Sequence, residues 1–314
     1  MELSRGLYEA CRGEFFAAIP EEFHDYVAAG LAGEGSECFG YDDFLSEDHD
    51  FGPDFCIWIP AKLYRERDSL FEAAYAALPD QYRGYAKSAS RQVMNRRGVM
   101  TIEGFYQKYT GITHPPADVM EWFRIPQSFL ATAVNGAVFE DRLGEFTRWR
   151  ETLKTYYPED VIRKKLAAKA VLMGQAGQYN YVRSCRREDW GAAYLSGCEF
   201  VKAAFAAIYL LNRKYMPFYK WVFRGSDELT ELRNAVTDLK AFVRMEDRAE
   251  NAIRKRTLIE AVSNEVIKAL VRKGYSRCRS DFLEAHASSI MEGIREERLR
   301  RLHVLADYDQ GPLG

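Results

Sequence analysis

No C-x-x-C pair occurs in this sequence, and none of its five histidines stands at zinc-ligand spacing from its six cysteines, Cys11, Cys38, Cys56, Cys185, Cys198 and Cys278. That excludes the common structural zinc motifs and the dithiol redox motif. Scattered single thiols fit a reducing compartment. The opening stretch MELSRGLYEACRGEFF carries acids and aromatics where a secretory leader carries an apolar run. No apolar run reaches the roughly 20 residues that span a bilayer. The expectation is a cytoplasmic protein with no membrane segment. A surplus of one charge is missing too, since 44 Lys and Arg against 46 Asp and Glu leave a net charge of -2. A dedicated nucleic-acid binder carries a basic surplus, so only a local basic groove is left for that role. No internal repeat and no low-complexity tract is present.

Core material is plentiful. Apolar residues make up 47% of the 314, with 19 Tyr, 19 Phe and 5 Trp. That length suits two ordinary domains. Residues 3 to 31 read as one or two helices broken at Pro20. A Gly-rich acidic segment follows, GEGSECFGYDDFLSEDHDFGPD. The run Phe55-Cys56-Ile57-Trp58-Ile59, ended by Pro60, reads as a buried strand. A helix is expected from about Lys62 to Ala77 and a second strand at Val99 to Ile102; Asn135-Gly136 precedes Ala137-Val138-Phe139, and Gly144 ends a turn. The second half changes character near residue 145, after which no strand pattern is read. Pro158-Glu159-Asp160 is a helix start. Val201, Phe205, Ile208 and Leu211 form one helical stripe. Leu258, Val262, Ile267 and Leu270 form another, closed by Gly274. Leu283, Ala287, Ile290 and Ile294 mark a last helix, and the terminal Asp-Gln-Gly-Pro-Leu-Gly is expected to fray.

The chemistry is concentrated at Gly35-Ser36, Gly40, Ser46 and Asp48-His49-Asp50. Two carboxylates two residues apart point the same way on extended backbone. Both can then ligate Mg²⁺, a hard cation that takes oxygen ligands and shares its other positions with phosphate oxygens. His49, between them, points away. A Gly-Ser turn lets backbone N–H groups and a hydroxyl approach a triphosphate. Gly33-Glu34-Gly35…Gly40 is a poor dinucleotide fingerprint, because no strand is read before it and an acidic loop follows.

This pattern, G-S-x-x-x-G followed by D-x-D, resembles the active-site signature of the DNA polymerase β-like nucleotidyltransferases. A closer likeness is to an uncharacterised bacterial family grouped near kanamycin nucleotidyltransferase. It is carried by GEGSECFGYDDFLSEDHDFGPDF, IPQSFLATAVNGAVFEDRLGEF, YYPEDV, GQYNYVRSCRRED and LNRKYMPFYKW, spanning about residues 33 to 224. The resemblance implies an α+β protein: a nucleotidyltransferase-type small mixed sheet flanked by helices, followed by an all-helical bundle. The expected domains are 1–152, catalytic, and 153–314, helical and completing the active-site cleft. It implies Asp48 and Asp50 as ligands of Mg²⁺ or Mn²⁺ and Gly35 and Ser36 as phosphate binders. By analogy with the kanamycin-type enzymes, Lys220, with Lys214, reaches toward the triphosphate of ATP or another NTP.

The sequence departs from that pattern in places. Glu47 separates Ser46 from Asp48, and Phe51-Gly52-Pro53-Asp54 delays the strand after Asp50. The strand Val99 to Ile102 holds no third carboxylate. Glu103 at its end is one candidate for third ligand or base, and Asp189 is another. Asp189 belongs to a charged cluster with Arg183, Arg186 and Arg187, in which Arg183 is a candidate phosphate binder and Asp189 equally suits a helix N-terminus. Lys220 and its aromatic neighbours also suit a helix interrupted by Pro217. Arg295 to Arg301 reads as a solvated helix face with i,i+4 ion pairs, and less readily as a tRNA-binding face.

The expected function is Mg-dependent transfer of a nucleoside monophosphate, AMP from ATP, to a hydroxyl of a small molecule, protein or RNA. Its rivals are a non-catalytic nucleotide-binding or regulatory protein on the same fold, and a toxin-like enzyme that modifies tRNA.

Overall fold

The apolar run before Pro60 is strand β2 (Cys56–Ile59), and it is buried on both faces. It belongs to a computed structural model that describes residues 1–44, 52–87 and 96–309. The chain is α+β and divides into two compact units. The first is Met1–Pro116 with Phe129–Thr155, and the second is Ala117–Ser128 with Tyr156–Gly314.

The strands of the first unit are β1 (Ala28–Leu31), β2, β3 (Gln81–Tyr82), β4 (Tyr85–Ala86), β5 (Gly98–Thr101) and β6 (Ala137–Asp141). Four of them form a mixed sheet in the order β5-β2-β1-β6, and β3 and β4 pair separately. β1 runs antiparallel to β2 and β6, and β2 runs parallel to β5. Alternation along β2 sorts its side chains to two faces. Ile57 and Ile59 share a core with Leu7, Tyr8, Phe15 and Phe71, from the helices Glu2–Ala17 and Ala61–Ala76. Trp58 takes the other face. It stacks on Phe146 with centroids 3.8 Å apart and meets Phe105 edge-on at 5.4 Å. Those rings come from the helices Glu145–Lys154 and Ile102–Thr110.

β1 overturns the expectation of helix through residue 31. Its sequence, AAGL, lacks the β-branched and aromatic residues that signal a strand. Packing explains the small residues. A Cβ on Gly30 would lie 2.9 Å from the Trp58 ring and 2.5 Å from the Ala137 carbonyl oxygen. A strand therefore does precede Gly33-Glu34-Gly35, contrary to the sequence reading.

In the second unit the helix Glu159–Met173 runs on through a π-helical stretch, Gly174–Tyr181, into Val182–Arg186. A Cβ on Gly177 would meet the Phe200 ring at 2.2 Å, so this position admits only glycine. Helices Arg233–Val243, Ala249–Arg272 and Glu284–Glu292 complete its larger elements. Among the described residues no strand follows Asp141.

The helix Trp190–Leu211 is long and apolar enough to cross a membrane by length and composition alone, although Glu199 and Lys202 interrupt its apolar run. Its apolar window is 67% buried within the protein, as a core helix would be. That helix ends at Leu211, six positions before Pro217, so the proline lies in a loop instead of kinking a helix. In Ala249–Arg272 the deep positions are Ile259 and Val266, while Leu258 and Ile267 are half-buried.

Residues 117–128, expected in the first domain, fall in the second unit. Trp122 packs edge-on against Tyr157, Phe123 does the same against Tyr308, and the Gln127 amide donates to Asp309 at 2.9 Å. Asp309, expected to fray, is buried and accepts from Lys165 at 2.8 Å. Residues 310–314 lie outside the described ones. Lys169 pairs with Asp307 at 2.6 Å. Lys164 donates to the carbonyls of His303, Val304 and Ala306, each at 2.9 Å. Desolvation pulls its ammonium pKa down to about 8.

Two stability predictions follow from these contacts. Trp58→Ala should cost about 3–5 kcal/mol, the scale of a buried aromatic deleted to alanine, read from the denaturant midpoint. A loss below about 1 kcal/mol would mean that the ring is not central to this unit. Lys165→Met should cost a similar ~3–5 kcal/mol, because it strands the buried Asp309 carboxylate and leaves Asp307 to Lys169 alone. Adding Asp309→Asn to Lys165→Met should restore part of that loss, and failure of any rescue would contradict the ion-pair account.

Candidate functional site

β1 delivers the chain into the loop Ala32–Ser36, and that loop is held from two sides. On one side stands Asn135. Its Oδ1 accepts from the Gly33 N–H at 2.8 Å and its amide donates to the Gly33 carbonyl at 2.7 Å. The neighbouring Gly136 N–H donates to the Cys38 carbonyl at 2.7 Å. Arg150, on the helix Glu145–Lys154, fixes both residues of this support. Its guanidinium donates to the carbonyls of Asn135 at 2.7 Å and Gly136 at 2.9 Å.

On the other side Arg97, just before β5, is buried. It donates to the Glu34 carbonyl at 3.0 Å and to the Glu37 carboxylate at 2.5 Å. Gly33 and Gly35 adopt φ of +101° and +119°, a backbone region in which side chains are strained. A Cβ on Gly33 would also lie 2.8 Å from the Tyr109 hydroxyl. The result is a Gly-Ser turn whose backbone is fixed before any ligand arrives, entering the short helix Ser36–Phe39.

Two cations flank the turn. The Glu34 carboxylate pairs with Arg96 at 3.0 Å and with Lys108 at 3.1 Å. Beside them is a cavity of about 480 Å³, lined by Arg96, Lys108, Tyr64 and Tyr109 among others. Asp54, at the entry to β2, is buried. It accepts from the Tyr75 hydroxyl and from the Phe55 N–H, and burial raises its carboxyl above the usual range. Among the described residues its Oδ2 takes no hydrogen bond.

The residues singled out from sequence have different fates. Gly35 and Ser36 sit at the turn, beside Arg97. Asp48 and Asp50, with Ser46, Glu47 and His49, lie outside the described residues. Glu103 accepts from the Ala61 N–H at 2.9 Å, so its carboxylate caps the helix Ala61–Ala76. Asp189 caps the helix Trp190–Leu211 by accepting from the Ala192 N–H at 3.0 Å.

Arg183, Lys214 and Lys220 belong to the second unit and are exposed. Arg183 lies 4.9 Å over the Tyr179 ring, and the Lys220 ammonium 5.2 Å over the Trp221 ring. Lys214 uses its carbonyl to accept from the Tyr156 hydroxyl at 3.2 Å. Among the described residues no group of three or more His, Cys, Asp or Glu is arranged to hold a metal.

Sequence reasoning missed Asn135, Arg150, Arg97, Arg96 and Lys108. A turn signal at Asn135-Gly136 marks backbone conformation and does not disclose which distant glycine the amide holds.

Residues 122–222 match the model of a family described as a domain of unknown function (DUF4037). No curated protein and no solved structure matches the chain.

Asn135→Ala should cost about 1–3 kcal/mol, the range for leaving buried backbone groups of Gly33 unsatisfied. Hydrogen exchange at the Gly33 amide should accelerate more than at amides of the helix Ala61–Ala76. Equal acceleration at both would mean that Asn135 supports the whole unit and not the turn.

Proposed function

We propose that this chain is a Mg²⁺-dependent nucleotidyltransferase that moves a nucleoside monophosphate, AMP from ATP, to a hydroxyl acceptor. The observation that carries this reading is the Gly33–Ser36 turn, fixed by Asn135 on one side and Arg97 on the other. A phosphate-binding turn needs glycine where backbone approaches the ligand, and a conformation that does not have to be organised on binding. Both requirements are met at Gly33 and Gly35. The likeness to the kanamycin-type enzymes adds the D-x-D signature that follows the turn in sequence.

In this reading the Gly35 backbone and the Ser36 hydroxyl hold phosphate oxygens, and Arg96 and Lys108 raise the local positive potential. Asp48 and Asp50 are oxygen donors of the kind Mg²⁺ takes and would hold it; the bound ion supplies charge neutralisation on the phosphates. By analogy with the kanamycin-type enzymes alone, Lys220 would offer a further cation to the departing pyrophosphate.

One observation favours a second reading, a nucleotide-binding regulatory protein without transferase activity. Both candidates for the third carboxylate, Glu103 and Asp189, are engaged as helix caps. Pyrophosphate release separates the two. Transfer liberates one pyrophosphate per nucleotide consumed when an acceptor is present, and a purely regulatory protein binds Mg-ATP and releases none.

Asp48→Ala and Asp50→Ala should each abolish Mg-dependent ATP binding, measured by calorimetry, with melting temperatures near that of the parent. Parental affinity in both variants removes the metal assignment. Lys220→Met should weaken ATP binding by about 1.5–3 kcal/mol, the scale of a charge-assisted hydrogen bond, and Lys220→Arg should weaken it less. A lowered melting temperature with unchanged affinity would show that Lys220 serves structure only.

A further inference from the structure

The second unit contains a cavity of about 690 Å³ that the reading above does not use. Its volume falls within the roughly 300–1,000 Å³ typical of small-molecule sites. Trp190, Val201, Phe223 and Phe242 form apolar walls, drawn from three different helices. Gly197 keeps the helix Trp190–Leu211 thin there, since a Cβ on it would crowd the Phe242 ring at 3.1 Å. Tyr194 and Cys198 also line the cavity; Tyr194 is exposed, and Cys198 is a half-buried free thiol.

The buried polar part of the lining is an ion pair, while the charged Lys202, Arg244 and Glu246 line its exposed side. Lys255 donates to Asp247 Oδ1 at 2.6 Å, and the Tyr181 hydroxyl donates to the same oxygen at 2.7 Å. Both side chains are almost fully buried, at 2% and 8% exposure. The lysine is committed elsewhere as well. It donates to the Met245 carbonyl at 3.1 Å and lies 4.2 Å from the centre of the Phe242 ring. The carboxylate is less committed, because among the described residues its two donors land on Oδ1 and leave Oδ2. What the lining offers a guest is therefore an acceptor, set among aromatic walls. Its charge is already balanced. A charged guest seated between the aromatic walls would carry its ion away from the exposed Lys202, Arg244 and Glu246 into the apolar interior, which is costly.

We propose that this cavity binds a small, neutral, aromatic molecule that carries a hydrogen-bond donor, with the ring between Trp190 and Phe242 and the donor on Asp247. The site lies wholly within the second unit and shares no residue with the Gly33–Ser36 turn, so it does not depend on nucleotidyl transfer.

Indole is a suitable probe, being neutral, planar and a single donor. The full chain is treated with iodoacetamide, and alkylation of Cys198 is followed peptide by peptide by mass spectrometry. Cys278, half-buried and not part of the lining, is the internal control. Indole should slow alkylation of Cys198 and leave Cys278 unchanged. Toluene, which has no donor, should need about tenfold higher concentration, the value of a hydrogen bond to a charged group. Benzoate and benzylamine should protect less than indole.

Calorimetric titration of indole into the same protein should report one site. Val201→Trp fills the cavity and should remove both signals. If Val201→Trp lowers the melting temperature, Tyr194→Ala, at an exposed wall position, should weaken indole binding in a folded protein. Protection and binding heat both absent up to the solubility of indole overturn the proposal. So does equal slowing at Cys278, and so does protection by benzoate or benzylamine that matches indole.

Discussion

Trp58 sits with its ring parallel to Phe146 at 3.8 Å, and that contact fixes more than a core. The indole reaches diagonally from its strand partner Ala28 over the neighbouring position on β1, where it leaves no room for a side chain, and that position is Gly30. Phe146 brings the helix Glu145–Lys154 onto the sheet. One turn further along the same helix, Arg150 reaches the carbonyls of Asn135 and Gly136. Asn135 in turn holds Gly33, and Gly136 holds Cys38. The candidate phosphate turn thus takes its position from a hydrophobic contact relayed through one arginine and one asparagine. Nondirectional burial supplies the energy, and the hydrogen bonds convert it into geometry.

The second unit is organised around buried charge. Lys164, Lys165 and Lys169 project from the helix Glu159–Met173, and all three are almost wholly buried. Taking ammonium groups out of water is costly, so each must find full compensation. Lys164 finds it in three carbonyls, and Lys165 and Lys169 find it in Asp307 and Asp309. The segment that supplies those partners is held at the helix as a consequence. Burial alone would push the Asp307 carboxyl up; the two lysines reverse this and hold it well below the usual range. Such an arrangement is intolerant of single losses, which suits a device that fixes one chain path among several of similar apolar content.

The mixed first half and helical second half were legible because hydrophobic period is a local signal. β2 and β5 announced themselves within a residue or two, through Ile57-Trp58-Ile59 and Val99. β1 did not, because AAGL records the needs of Trp58, which lies 27 residues later in the chain. The stripe over 258–270 was read one residue out of phase at Leu258 and Ile267, since neighbouring apolar residues on a helix differ by only about 100°. Residues 117–128 were misassigned because their partners, Tyr157, Tyr308 and Asp309, are distant in sequence. At the site, glycines and serine were visible as a motif. The polar side chains that hold them were not, because a buried arginine and a solvent arginine look alike in sequence.

Carboxylates in the first unit show how position divides one functional group among different tasks. Glu37 and Glu34 balance Arg97, Arg96 and Lys108 around the turn. Glu103 spends a lone pair on the Ala61 N–H at the start of a helix, where a negative charge is favoured anyway. Asp54 is the opposite case. Burial raises its affinity for a proton, Tyr75 orients it, and Oδ2 keeps no partner among the described residues. It stands at the entry to β2, the strand paired with β1, and β1 leads into the Gly-Ser turn. Spacing in the sequence drew attention to Glu103 because it follows a strand. Burial, orientation by Tyr75 and a spare oxygen set Asp54 apart from Glu103, and all three follow from its place at the entry to β2 and not from spacing in the sequence.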